Sequence, residues 1–200
     1  MNAYEAIAAR HTIRSFAERE ISPEILRRIL SAGMQAPTND HLRRWHFVVL
    51  QDPQKRKELL DQVIHPVNRQ ASIKFVDKAG MTDPDQRAMY IDAIPRQYSM
   101  LSTCAALVLP FFQQTYPLLK PESLSSLNGF ASIWCCVENI LIAAASEEIF
   151  GVTRIPFEKE RDVIKNALHI PDGYETPCWI ALGYPDANDK RHAQVKIDLD

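Results

Sequence analysis

Apolar residues recur along this chain at two spacings, and the changes of spacing mark out its elements. A weakly helical opening, Tyr4-Glu5-Ala6-Ile7-Ala8-Ala9, runs into the polar stretch Arg10-His11-Thr12-Ile13-Arg14-Ser15. Ile25, Leu26, Ile29 and Leu30 then fall on one helical face. Ser22-Pro23-Glu24 in front of them is a helix start: Ser caps, Pro suits the first helical position, and Glu complements the positive end of the dipole. Gly33 offers the stop. Turn chemistry at Ala36-Pro37-Thr38-Asn39-Asp40-His41 leads into an expected strand at His46-Phe47-Val48-Val49-Leu50. Asp52-Pro53 opens another helix, with Leu59, Leu60 and Val63 facing inward.

The middle of the chain reads differently. Residues 65–96 are polar, and Pro66, Gly80 and Pro84 interrupt any period, so an irregular cover or insertion is expected there. Residues 103–112 read as a strand buried on both faces, and residues 113–126 return to loop character. Phe130, Ile133, Trp134, Val137, Ile140, Leu141 and Ala144 form the broad stripe of a long central helix, which Gly151 is expected to close. Thr153-Arg154-Ile155 reads as a short strand, Pro156-Phe157-Glu158 as a turn, and residues 159–168 as a small amphipathic helix. Pro171-Asp172-Gly173-Tyr174 is another turn. Cys178-Trp179-Ile180-Ala181-Leu182 makes the last strong strand, and the tail at 186–200 has no core of its own. Short strands around a long apolar helix imply one domain over residues 1–200, α/β or α+β in class.

Composition narrows the function classes. A net charge of −2 argues against general nucleic-acid or anionic-membrane binding, so any anion site is local. Cys104, Cys135, Cys136 and Cys178 show no C-x-x-C and no zinc-site spacing, and are expected as reduced thiols of a cytoplasmic protein. The first apolar stretch is broken by Glu5 and Arg10 before it is long enough for a signal peptide. The longest uncharged run of the central helix, residues 123–137, is 15 residues, shorter than the ~18 expected of a membrane span. No membrane association and no metal are expected.

Several standard chemistries are absent from the sequence: G-x-G-x-x-G after a strand, a Walker loop, H-E-x-x-H and G-x-S-x-G. Adjacent Cys135 and Cys136 diverge by about 100° on a helix, which favours packing over redox pairing. What recurs instead is Arg, Thr, Asn and His in turns beside apolar and aromatic positions. Arg10, Thr12 and Arg14, at alternate positions, point one way if the chain is extended, and a guanidinium fork suits phosphate or a ring carbonyl. This pattern fits a bulky anionic cofactor that carries the chemistry itself.

Arg10-His11-Thr12-Ile13-Arg14 resembles the R-[RH]-[ST]-x-R motif of the nitroreductase family of FMN-dependent oxidoreductases. Residues 36–47, from Ala36-Pro37-Thr38-Asn39 through Trp45-His46-Phe47, resemble its A-P-S-x-x-N-x-Q-P-W-x-F. Residues 151–158 are similar to its helix-end turn, and Ala181-Leu182-Gly183-Tyr184-Pro185 matches its terminal A-L-G-Y-P. The resemblance implies an α+β fold with a mixed sheet around the central helix, and an intertwined homodimer with FMN at the interface. It places Arg10, His11 and Thr12 on the phosphate and Arg14 near the pyrimidine edge of the flavin. Pro37, Thr38 and Asn39, with His41, would reach the cofactor from the partner subunit, and Pro156, Phe157 and Glu158 would pass along the ring. Lys196, or alternatively Lys190 or Arg191, would complete the phosphate site. His41, Arg43 and Arg44 stand where the motif has Asn, Gln and Pro, which bears on substrate preference. The family's polar contact before the second strand has no clear match beyond the candidates Arg96 and Gln97.

The activity so implied is hydride transfer from NADH or NADPH through the flavin to a nitroaromatic, quinone or similar flat small-molecule acceptor, with no protein side chain as catalyst. The segment at 65–96 is expected to select the acceptor. A flavin reservoir or redox sensor without turnover is the alternative, and a colourless interaction protein that has lost flavin is a third.

Overall fold

The computed structural model describes residues 1–64, 66–187 and 189. The sequence resolves into α1 (Ala3–Ala9), α2 (Pro23–Gly33), β1 (Trp45–Leu50), α3 (Pro53–Asp61), α4 (Arg69–Lys78), α5 (Pro84–Ala93) and α6 (Gln97–Thr103). There follow β2 (Ala106–Gln113), a 3-10 turn (Leu124–Leu127), α7 (Asn128–Ser146), β3 (Phe150–Arg154), α8 (Glu158–Ala167), β4 (Tyr174–Glu175) and β5 (Trp179–Gly183).

Sequence-local caps set most helix starts. Asn2, Ser22, Asp52, Asn68 and Asp83 each accept a backbone N–H of the first turn, and Pro occupies the opening of α2, α3 and α5. The last two of these caps correct the expectation of irregular chain over 65–96. That segment holds two helices, α4 and α5, whose weak apolar period hides them. Residues 103–112 also divide: Thr103 ends α6, and the strand begins at Ala106.

The strands order as β1-β2-β5-β3, with β4 pairing one end of β2, and every ladder between named strands is antiparallel. The parallel component is an isolated bridge between Thr12 and Gly151, with Ile13 N–H donating to Gly151 O at 3.2 Å. It carries the N-terminal loop along β3. Phe16 bridges Pro185 on the other side of that loop.

Period two divides β2 and β5 between two cores. Val108, Phe112, Ile180 and Leu182 pack with Leu26, Ile29, Ile133, Val137 and Ile140 of α2 and α7. Leu107, Leu109, Phe111, Trp179 and Ala181 face the other way, with Leu59, Leu60, Leu101 and Ile164 of α3, α6 and α8. The sheet is thus covered on both faces, as the apolar runs of β2 and β5 require. A Cβ on Gly33 would stand 2.6 Å from Ile140 Cγ1, so glycine there sets the approach of α2 to α7.

The end of α7 departs from expectation. It stops at Ser146, and Glu148, at φ 58°, takes the left-handed position, with Ile149 N–H donating to Ala144 O at 2.9 Å and Glu148 N–H to Ala145 O at 3.1 Å. Gly151 instead lies within β3, where a Cβ would meet Ala181 O at 2.5 Å. Residues 124–146 are also long and apolar enough to cross a membrane by length and composition alone, which the uncharged-run length did not anticipate.

Candidate functional site

The N-terminal loop is held from both sides. His11 Nδ1 lies 2.7 Å from Ala9 O, and since a carbonyl only accepts, that nitrogen carries the proton of this contact. Its ring packs against Phe150 of β3, with centroids 4.3 Å apart and planes tilted by 40°. Arg10, just past α1, pairs at 3.4 Å with Glu138 of α7. Thr12 is fixed by the bridge to Gly151. Arg14 and Ser15 both donate backbone N–H groups to Asp189 Oδ1, at 3.1 and 3.3 Å.

The Arg14 side chain reaches a cavity of about 440 Å³ between the helices of segment 65–96 and the turn after β3. Its walls are apolar and aromatic, including Phe75 of α4, Met89 and Tyr90 of α5, and Ile155 and Phe157 of the turn. Arg14 Nη2 donates to Met89 Sδ at 3.4 Å, a weak acceptor for a guanidinium. Burial pushes the Arg14 pKa down from its ordinary value, against the opposing pull of Asp92 and Asp189. A desolvated cation in an apolar cavity attracts an anion or a polarised carbonyl more strongly than it would in water. Arg96, the first candidate for the unmatched polar contact, donates to Ser15 Oγ at 3.2 Å and pairs with Asp92 at 3.1 Å. Gln97, the second candidate, lines the cavity.

The other motif segment lies apart from this cavity within the chain. Thr38 and Asn39 line a polar recess of about 70 Å³ with Arg43, Arg44, Gln113 and Ser132. Asn39 N–H donates to Ser132 Oγ at 3.3 Å, while Thr38 Oγ1 is buried with no hydrogen-bond partner among the described residues. Pro37 is exposed, and His41 and Arg43 hold the left-handed region at φ 59° and 43°. His41 therefore adopts the backbone that Asn tolerates best among side-chain-bearing residues.

Of the expected residues, Arg14 and Phe157 come together in the larger cavity. Arg10, His11 and Thr12 lie on the same loop but line neither cavity, Pro156 and Glu158 flank Phe157, and Pro37 to Asn39 with His41 stand on a separate face. Lys196, Lys190 and Arg191 lie outside the described residues. Met89, Tyr90, Arg154 and Glu160 were not singled out from sequence as site residues with roles, although Asp83-Pro84 repeats the helix-start signal of Asp52-Pro53 and would have placed Met89 and Tyr90 on a helix.

Fold and site together define a three-layer α+β domain in which a basic N-terminal loop, threaded beside β3, meets an apolar cavity under a pair of helices. The chain belongs to the nitroreductase family, whose model matches residues 7–184. A protein of Archaeoglobus fulgidus, provisionally named NADH dehydrogenase/NAD(P)H nitroreductase, is 38% identical over 97% of this chain and 92% of its own. An iodotyrosine deiodinase of Haliscomenobacter hydrossis is 34% identical over 91% of this chain and 78% of its own. Among solved structures, oxidised iodotyrosine deiodinase bound to FMN and 3-iodo-L-tyrosine shares the fold, with TM-score 0.71 at 16% identity over 100% of this chain and 98% of that one.

Proposed function

We propose that the protein is an FMN-dependent oxidoreductase that takes hydride from NADH or NADPH and passes it to a nitroaromatic, quinone or similar flat electrophile in a ping-pong cycle. The observation that carries this reading is the 440 Å³ cavity with desolvated Arg14 on one side, the 155–157 turn on another and aromatic walls between. The residues present fit FMN: a partly buried Arg14 guanidinium that donates to a thioether beside the charges of Asp92 and Asp189, and a buried Thr38 hydroxyl without a partner among the described residues, are groups a polar cofactor would satisfy.

FMN, when bound, supplies hydride uptake and release at its N5. Arg10, His11 and Thr12 would hold its phosphate, with Lys196 completing that end. Arg14 would face the pyrimidine edge, where its charge favours the reduced, more negative cofactor. Pro156, Phe157 and Glu158 would run along the ring. Pro37, Thr38, Asn39 and His41 would come from a second copy, which accounts for their separation from Arg14 within one chain. The apolar walls exclude water from the reacting centre. No side chain is needed as nucleophile or proton donor to the cofactor.

Segment 65–96 supplies Val67, Ala71, Phe75, Met89, Tyr90, Ala93 and Ile94 to the cavity, which supports its role as an acceptor-selecting cover. Four free cysteines, three of them buried, support a reducing, cytoplasmic setting. The test is the visible spectrum of purified protein before and after anaerobic NADH or NADPH. A yellow protein that bleaches within its turnover time and is reoxidised by a quinone is expected. Slow bleaching with both nucleotides would favour a sensor, and a colourless protein that FMN cannot fill would overturn the reading.

A further inference from the structure

The turn that lines the cavity hangs from a buried polar chain that neither the motifs nor the family relationship assigns. Arg154 closes β3, with its side chain 4% exposed. Its Nε donates to Gln97 Oε1 at 2.9 Å, its Nη2 to Glu160 Oε1 at 2.7 Å, and its guanidinium lies 4.9 Å over the Trp179 ring. Glu160 uses its other oxygen, Oε2, to accept the Phe157 N–H at 2.8 Å. Gln97, Arg154, Ile155 and Phe157 all line the cavity. Gln97 is also the residue that follows the cover at 65–96, so the chain of contacts runs from the end of the cover, through a buried ion pair, to a backbone amide of the turn.

The chemistry makes this arrangement directional. A charge-assisted bond from Nη2 to one carboxylate oxygen leaves the second oxygen fixed in place for Phe157, and the Trp179 ring beneath the guanidinium adds a cation–π contact that holds its position. Phe157 and Ile155 themselves have little packing to hold them, at 69% and 67% exposure. Their position therefore depends on the hydrogen bond at Phe157 and on what holds Glu160. We propose that Arg154 is a positioning residue: through Glu160 it fixes the Phe157 N–H and hence the turn beside the cofactor cavity, and through Gln97 it ties that turn to the start of α6, which follows the cover. This rests on the functional reading for its consequence in turnover, but the positioning itself is a property of the flavin-free chain.

The test accordingly begins without flavin. Amide exchange followed by NMR in Arg154→Met should be at least about tenfold faster at Phe157 than in the unaltered protein, with Ile164 in the body of α8 retaining its protection. Arg154→Lys, which keeps the charge, should restore part of that protection. Unchanged exchange at Phe157 in Arg154→Met overturns the proposal. If that variant fails to fold, Gln97→Leu is the second arm, with at least threefold faster exchange expected at Phe157 and no change overturning it. With FMN loaded, Arg154→Met should lose at least tenfold in kcat/KM for the acceptor per bound flavin, with recovery in Arg154→Lys; loss of thermal stability with full turnover per flavin would also overturn it. Failure of the unaltered protein to bind FMN would reject the functional reading while leaving the exchange result to decide the positioning.

Discussion

Two arginines of one loop face different surroundings, and their substitutions should separate accordingly. Arg10 shares a partly exposed pair with Glu138, at 30% and 52% side-chain exposure, so the pair is worth well under about 1 kcal/mol and a phosphate can replace it. Arg10→Ala should weaken FMN binding about tenfold or more, a loss of roughly 1.4 kcal/mol, whereas Glu138→Gln should tighten it by about two- to fivefold. Fluorescence titration with FMN decides both, and equal affinity in all three proteins would remove Arg10 from the phosphate site. Arg14 is partly buried and desolvated beside the cavity, so Arg14→Ala should chiefly lower the flavin's midpoint potential, read by anaerobic titration against a reference dye.

The buried thiols make a separate residue-scale prediction. Desolvation pushes Cys104 from 9.0 up to about 12 and Cys136 likewise up to about 12. A thiol that ionises near pH 9 when unfolded but stays neutral when folded leaves the unfolded state with fewer protons. Its contribution is therefore whole below about pH 9 and is lost as pH rises toward 12, with a slope of about 1.4 kcal/mol per pH unit for each thiol. Urea unfolding at pH 8 and pH 10.5 should show this loss, and Cys104→Ala should reduce the slope by about one proton's worth. An unchanged slope would mean that Cys104 is not desolvated.

At the scale of elements, local signals were legible and pairwise ones were not. Ser22-Pro23 and Asp52-Pro53 announce α2 and α3 because a cap acts on its own helix. The same signal at Asp83-Pro84 was masked by neighbouring breakers, so the helical cover read as irregular. β4 exists through its pairing of Tyr174 and Glu175 with β2, which no local pattern at 171–174 encodes. The end of α7 shows why Gly151 misled: the left-handed position fell to Glu148, a residue with a Cβ. Left-handed backbone costs an L-residue roughly 1–2 kcal/mol, partly offset by glycine's larger unfolded-state entropy, so Glu148→Gly should stabilise by about 0.5 kcal/mol and raise Tm by about 1–2 °C. Gly80, which ends α4 at φ 66° with nothing within 4 Å of an added Cβ, gives the converse. Gly80→Ala should lower stability by about 1 kcal/mol from backbone strain alone, and calorimetry on the two variants checks the pair of signs.

At the scale of the molecule, the motifs named a family because four short segments occur in order, yet they could not place the site within one chain. Arg14 with Phe157 and Thr38 with Asn39 occupy different cavities, and the separation becomes intelligible if two copies complete each site. The surface carries the corresponding debt of uncovered apolar area: Tyr4 and Ile7 on α1 at 86% and 54% exposure, Leu124 ahead of α7 at 88%, and Phe157 at 69%. Light scattering should therefore give about twice the chain mass of 22.8 kDa at micromolar concentration. Replacing Tyr4 and Leu124 together by Asp should shift the mass toward one chain, because each charge would face the apolar side of a partner. FMN affinity should fall in the same concentration range as the dimer dissociates, since Thr38 and Asn39 would leave with the partner copy. A single-chain mass in the unaltered protein with FMN bound tightly would refute the shared site and would require Thr38 and Arg14 to act on separate ligands.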